Sequence, residues 1–454
     1  MSIWSRFRAG DGGKKGAQRS APAAGTAQDP GRRGNVLLAS KSPEAPVEER
    51  STDESVAATE SIRRRTGPVD AVLAATVIAL IGFGVVMVYS ASAIEATVRY
   101  KDAQFFLKRQ AVYAVLAVIV MAVASRINYR KIKPFTYPIL FSVAAMLLAT
   151  VAGLGHRAGN AYRWLALGPV HVQPAELAKL GIVLWLAYSL SKKRDQIRSF
   201  SVGFLPHLLV VGVLMLLCLK QPDFGSAMVL LFLTFTLLFV AGARIPYIAA
   251  FSALLALAAA ALVRFSGYRY ARYLAWIDME SNRADLAYQP FQSVMSFGSG
   301  GVSGLGLGRG LQVLYLPEAH TDFISAIVGE ELGFLGIVAL CCAYLVIVAR
   351  GVKAALAADD DYGSFIAFGI ATLFGVQAMV NLSVAMAILP TKGLTLPLVS
   401  YGGSSLIVNA LGAGILLSIS RSPGTESTTA SPREAARLSN SGVVGVAAVS
   451  RDAA

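Results

Sequence analysis

The chain is 454 residues long, 55% hydrophobic and only 15% charged, with a mean hydropathy of +0.57. That balance excludes a soluble globular enzyme and describes a polytopic membrane protein. The formal charge of +14 sits in the terminal stretches and between apolar runs, a pattern of membrane topology rather than of nucleic-acid binding.

Residues 1–67 are rich in Gly, Ala, Pro, Ser and mixed charge and lack apolar periodicity, which predicts a disordered cytoplasmic tail. They hold no signal-peptide apolar stretch, so the first apolar run is expected to act as an uncleaved signal anchor. Ten runs long enough to span a bilayer follow, at about 69–91, 105–125, 135–154, 174–191, 201–219, 223–242, 246–263, 322–349, 363–388 and 401–420. Arg126, Arg130, Lys131, Lys133, Lys192, Lys193, Arg194, Arg198, Arg244, Arg350 and Lys353 mark one set of connections as cytoplasmic. The expected fold is therefore an all-α polytopic membrane protein with ten transmembrane helices and both termini cytoplasmic. A membrane domain would cover residues 68–420, with a large extracytoplasmic loop at 264–321 between helices 7 and 8, and 421–454 would form a second disordered tail. Cys218, Cys341 and Cys342 fall inside apolar runs without ligand spacing, which argues against disulfides and zinc.

Polar groups punctuate the apolar runs. Arg163 and Trp164 precede QPAELAK, where Glu176 and Lys179, three residues apart, share a helix face; the pair fits structural neutralisation and substrate contact equally. Lys220, Gln221 and Asp223 lie in KQPDFGSA, which either lines a site or shapes a turn. The outer segment holds YQPFQSVMSF and then GSGGVSGLGLGRG, whose glycines suit either a flexible loop or a re-entrant element lining a cavity. No βαβ unit surrounds them, which argues against a dinucleotide site. In LPEAHTDFISAIVGEELG, Glu318, His320 and Asp322 precede a helix and Glu330 and Glu331 follow inside it; a carboxylate at a membrane boundary costs free energy and usually has a task. Lys392, in LPTKGLTLPLVSYGGSS, is suited to a pyrophosphate or, equally, to a solvated place at the headgroup level.

Taken in order, YRWLALGPVHVQPAELAK, QPDFGSA, YQPFQS with GSGG, LPEAHTDF, GEELG and LPTKGLTLPLVSYGGSS resemble the SEDS family over about residues 69–420, and PEAHTDF with TKGLTLP resembles its cell-division branch. The resemblance implies a peptidoglycan glycosyltransferase of the cytoplasmic (inner) membrane. It would polymerise lipid II, the undecaprenyl-pyrophosphate-linked precursor, into β-1,4 glycan on the extracytoplasmic face at the division septum. It places the family's essential aspartate on Asp322, as general base for an inverting displacement. Candidate substrate contacts are Lys392, Arg163, Lys220, Gln289, Gln292, Ser293, His320 and Glu318, with Glu176 and Lys179 as a structural or activating ion pair. A divalent cation, Mg or Mn, is left open. Implied partners are a class B penicillin-binding transpeptidase, FtsI-like, and the regulators FtsQ, FtsL and FtsB. The chain departs from the family pattern at Met279, Ala287, Val313 and Ser325. A lipid II flippase and a non-catalytic scaffold of the division machinery are the readings from other classes.

Overall fold

The computed structural model describes residues 67–158, 161–168, 170–391 and 393–421. The two stretches expected as disordered tails lie outside the described residues, apart from their inner edges, as does Lys392.

Helices form over every predicted apolar run: α1 (Ala71–Tyr100), α2 (Phe105–Arg126), α3 (Thr136–Ala149), α4 (Pro174–Lys192), α5 (Leu205–Lys220), α6 (Phe224–Val240) and α7 (Ile245–Arg264). A segment with two further helices, α8 (Gly267–Ile277) and α9 (Tyr288–Gly300), leads to α10 (Ile324–Ala357), α11 (Asp361–Ala385) and α12 (Gly403–Ser420). Among the described residues, eight helical stretches are long and apolar enough to cross a membrane, α3 and α5 counting together with the helical turns that flank them, as Tyr129–Leu154 and Phe200–Lys220; α4 and α6 fall outside that set, α6 because it has no such extension and is too short. α4 carries Glu176, Lys179 and Lys192. The stretch ahead of α4, for which the sequence predicts no element, folds as a small antiparallel sheet of β1 (His156–Ala158), β2 (Ala161–Leu167) and β3 (Val170–Val172) in the order β1-β2-β3. Its register sets Ala158 against Ala161 and Leu165 against Val172.

The core lies along α4, α11 and α12, whose buried positions run around the helix rather than along one stripe. That is the sequence signature of a helix enclosed by protein on all sides. α7 buries no residue and lies at the periphery. Small residues set the closest approaches: a Cβ at Gly414 would stand 2.6 Å from Ala124 Cβ, and one at Gly84 would stand 2.7 Å from the Val399 carbonyl oxygen.

Polar contacts sort the connections to two ends of the bundle. At one end Arg350 pairs with Asp70 at 2.6 Å, Arg130 with Asp359 and Asp360 at 3.2 Å, and Arg194 with Asp361 at 2.6 Å. There Gly67 N–H also donates to the Arg421 carbonyl. At the other end gather the β-sheet, the α5–α6 turn and the residues that precede α10.

The glycine-rich stretch after α9 is neither a free loop nor a simple connector. α10 breaks at Gly333, which adopts φ +66° and ψ −161°. There the N–H groups of Phe334 and Leu335 donate to the carbonyls of Gly301 and Val302, while Leu305 and Gly306 donate to the carbonyls of Glu330 and Glu331. Those are the groups that a continuous helix would pair with each other, so the loop is spliced into the helical ladder. The fully buried side chains of Glu330 and Glu331 complete the seam. Glu330 accepts from the backbone N–H of Leu311 at 2.8 Å and of Gln312 at 3.1 Å, and Ser90 Oγ donates to Glu331 at 2.6 Å. Beside the seam is an apolar cavity of about 380 Å³ lined by Val294, Phe297, Gly301, Phe334 and Met386.

The splice predicts unequal costs for two alanine substitutions. Gly304 (φ +80°) has no room, since its Cβ would lie 2.1 Å from the Glu331 carbonyl oxygen, whereas Gly308 (φ +73°) has open space. Gly308→Ala should cost only the left-handed backbone, about 1–2 kcal/mol, and Gly304→Ala distinctly more. Thermal unfolding in detergent will rank the two, and equal melting temperatures would contradict the splice.

Candidate active site

Asp322 lies two residues ahead of α10, in a turn closed by bonds from the N–H groups of Thr321 and Asp322 to the Glu318 carbonyl at 3.1 and 3.2 Å. Glu318 takes a left-handed φ of +56°, and its carboxylate accepts from the Thr321 hydroxyl at 3.1 Å. Above the turn the Tyr401 N–H donates to the His320 carbonyl at 2.9 Å. The site is thus assembled between the start of α10 and the approach to α12.

One residue that the sequence reading passed over ties these pieces together. The Asn381 side-chain amide donates to the Asp322 carbonyl at 2.9 Å and to the Leu394 carbonyl at 2.7 Å. Its own oxygen accepts from the Ser325 hydroxyl at 2.9 Å, so the departure from family pattern at Ser325 has a bonding role. The clamp brings the TKGL segment against the acid: a Cβ on Gly393 would stand 3.0 Å from Asp322 Oδ2. Any side chain there would crowd the carboxylate on that side. The detectable signal in the sequence was an amide in the middle of an apolar run, where a buried polar group needs partners.

From the far side, α6 begins at Asp223, whose carboxylate accepts from Ser226 N–H at 3.0 Å as its N-cap. Gly225 in the next turn packs against Leu394. Arg163, on β2, reaches over this turn and donates from Nε to the Gln221 carbonyl at 3.0 Å and from Nη2 to the Pro222 carbonyl at 2.7 Å. Gln221 in turn donates to the Leu147 carbonyl at 3.0 Å and to the Thr150 hydroxyl. KQPD therefore both shapes the turn and docks a cation over it.

The charges around Asp322 act on its proton. Burial of the carboxyl raises its pKa to about 7, Glu318 and then Asp223 push the same way, and Arg163 pulls against them. A half-buried acid is thereby brought to the middle of the physiological range. His320 is buried between Phe106 and Tyr401, with ring centroids 4.5 and 5.4 Å away, and its Nδ1 faces Glu95 at 3.5 Å. Burial depresses its basicity, against the opposing pull of Glu95 and Glu318.

The structure brings Asp322, Glu318 and Arg163 into one electrostatic neighbourhood, to which Asp223 is an addition. Lys220 is exposed at the end of α5. Ser293 is fully buried on α9 and donates to the Ala385 carbonyl at 2.6 Å, so its hydroxyl holds α9 against α11, while Gln289 and Gln292 are half-buried on the same helix. Glu176 and Lys179 form a buried pair at 2.6 Å. Ser405 donates to Glu176 at 3.1 Å and lies 3.1 Å from the Thr395 hydroxyl, which connects the pair to the loop beside Asp322. Among the described residues no group of three or more His, Cys, Asp or Glu side chains is arranged to hold a metal ion.

Comparison with known proteins bears on this geometry. The family model FTSW_RODA_SPOVE, described as a cell cycle protein, matches residues 71–424. A relative from Geobacter sulfurreducens (strain DL-1 / KN400) named "Probable peptidoglycan glycosyltransferase FtsW" is 46% identical over 77% of this chain and 95% of its own length. Stage V sporulation protein E of Bacillus subtilis (strain 168) is 37% identical over 79% of this chain and 98% of its own. Among solved structures, a chain from "Structural coordination of polymerization and crosslinking by a peptidoglycan synthase complex" aligns with TM-score 0.65 and 32% identity, covering 78% of this chain and 98% of that one. The Thermus thermophilus rod shape determining protein RodA aligns with TM-score 0.58 and 31% identity, covering 78% and 97%.

Asn381→Asp keeps the clamp's shape and removes its donors, leaving two backbone carbonyls without a partner. The expected loss is about 2–4 kcal/mol of stability, read as a lowered unfolding temperature; an unchanged value would show that the amide bonds carry no weight.

Proposed function

The chain belongs to the FtsW, RodA and SpoVE family of cell cycle proteins, and from that premise we propose that Asp322 is the general base of its reaction. The protein is a membrane-embedded peptidoglycan glycosyltransferase. The observation that carries the assignment of Asp322 is its environment: a carboxyl raised to about 7, beside an anchored guanidinium, at the head of a membrane helix.

The substrate is proposed to be lipid II, with its lipid tail in the bilayer and its headgroup at the end of the bundle that holds Asp322. The apolar cavity beside Phe297 and Phe334 suits part of a polyprenyl chain. An acceptor hydroxyl oxygen forms a bond to the donor's anomeric carbon while the bond from that carbon to the diphosphate breaks. Asp322 receives the hydroxyl proton, and the lipid diphosphate departs with the electron pair. Displacement in one step turns an α-linked diphosphate into a β-1,4 bond. Arg163 is assigned to the charge that develops on the diphosphate, with Lys392 and Lys220 as further cationic contacts. His320 and Glu318 shape the turn that presents the acid, and Gln289 and Gln292 are proposed to face the sugar. A divalent ion is proposed only as a counter-ion carried in on the diphosphate, because the described residues offer it no cage of their own.

Ten spans with both termini cytoplasmic remain the proposed topology. The basic connections gather at one end of the bundle and Asp322 lies at the other, which supports an extracytoplasmic site. The solved relative from a peptidoglycan synthase complex supports pairing with a crosslinking enzyme, proposed as a class B penicillin-binding transpeptidase, FtsI-like. Work at the division septum with FtsQ, FtsL and FtsB is proposed on family likeness.

Asp322→Asn should reduce glycan formation from purified lipid II by roughly 10²-fold or more, with no loss of folding. The fold holds the Asp322 pKa above its ordinary value, so the ionised carboxyl costs stability at neutral pH and the neutral amide should melt no lower. Retained turnover would remove Asp322 from the mechanism. Below about 7 the carboxyl keeps its proton and has no capacity to accept another. The wild-type rate should therefore rise about tenfold per pH unit through the acidic range and level off above 7; initial rates across that range test it, and a profile flat through mildly acidic pH would contradict it.

A further inference from the structure

At the basic end of the bundle, away from Asp322, a cavity of about 370 Å³ opens between the first turn of α3, the last turn of α4 and the connection to α5. It is lined by Tyr137, Tyr188, Ser189, Lys192, Lys193, Asp195 and Gln196. None of the residues assigned to the reaction lines it.

The cavity is built rather than incidental. Its floor is Ser189, buried and bonded at 2.9 Å to Nε2 of the fully buried His207. The other ring nitrogen, Nδ1, lies 2.7 Å from the Gly203 carbonyl, which only accepts, so Nδ1 donates. In the neutral ring Nε2 then accepts the Ser189 hydrogen. The rim has no slack: a Cβ on Gly203 would stand 2.4 Å from the Gln196 carbonyl oxygen, and Ile197 and Phe204 anchor the same stretch in the core. Tyr137 and Tyr188 meet edge to face at 5.6 Å to form one wall.

The charges are uneven. Arg194 is neutralised by Asp361 at 2.6 Å. Among the described residues neither Lys192 nor Lys193 has a carboxylate within salt-bridge distance, and the nearest bonding atom for Lys193 Nζ is the Val202 carbonyl at 3.5 Å. Two cations against the single acid Asp195 leave the pocket positive. Apolar surface adjoins its mouth: Phe141, one helical turn from Tyr137 on the same face of α3, is 69% exposed, and Val202, whose carbonyl accepts from Lys193, is also exposed. A free inorganic anion has no use for that surface. An amphiphile with an anionic head has a use for both parts.

We propose that this cavity binds the phosphodiester of an anionic phospholipid from the leaflet at the basic end of the bundle, with Lys192 and Lys193 on the phosphate and the acyl chains along Tyr137 and Phe141. Basic pockets between membrane helices are suited to such headgroups.

Native mass spectrometry of the full-length protein, titrated with phosphatidylglycerol or phosphatidylcholine, tests the site without reference to polymerisation. Phosphatidylglycerol should be held roughly tenfold or more tightly than phosphatidylcholine. The double variant Lys192→Gln, Lys193→Gln should lose that preference with its unfolding temperature unchanged in lipid-free detergent, and Asp195→Asn, which removes the opposing charge, should strengthen it severalfold. A wild-type protein without preference, a double variant that keeps it, or release of phosphatidylglycerol by an equal concentration of inorganic phosphate would each overturn the proposal.

Discussion

A backbone group stripped of its partner in a low-dielectric interior costs more than almost any side-chain adjustment, and the break at Gly333 strips four of them at once. The exchange of hydrogen bonds between α10 and the loop at 301–306 answers that cost within the chain. Once the loop is committed to the helix, Glu330 has two backbone N–H groups to accept from, and the segment that leads to Asp322 starts from a fixed point. Two adjacent carboxylates inside a membrane protein thus serve as acceptors for the chain's own amides rather than as ligands or acids.

Asn381 does the same work at shorter range. Its amide faces two carbonyls from segments far apart in sequence, and so converts two flexible approaches into one surface. Glu176, Lys179, Ser405 and Thr395 extend the order inward to the core of α4 and α12. A buried ion pair contributes little net stability by itself; here it also holds the Ser405 hydroxyl, which in turn meets Thr395 in the segment that follows Gly393.

Much of the architecture was legible because hydropathy is a local property: each apolar run coincides with a helix, and the basic connections gather at one end. The places where reading failed are all tertiary. Nothing local to GSGGVSGLGLGRG reveals that its backbone will replace rungs of a helix that starts some twenty residues later. In the small sheet before α4, the two outer strands are too short for alternation to register. Asp322 stood out as a carboxylate at a membrane boundary, and Arg163 as a cation before a helix, but their common neighbourhood with Asp223 depends on how α6 meets the start of α10. Ser293 looked available in sequence because a serine in a polar-apolar stretch gives no hint of which carbonyl it will meet.

Arg163 spends part of its planar fork on the carbonyls of Gln221 and Pro222. A long side chain loses rotamer freedom whenever it grips a ligand, and this one has lost it already, during folding. In the role proposed for Arg163, an incoming anion would meet a charge that needs no rearrangement, and the affinity of that contact would not be diminished by the entropy of immobilising the arginine.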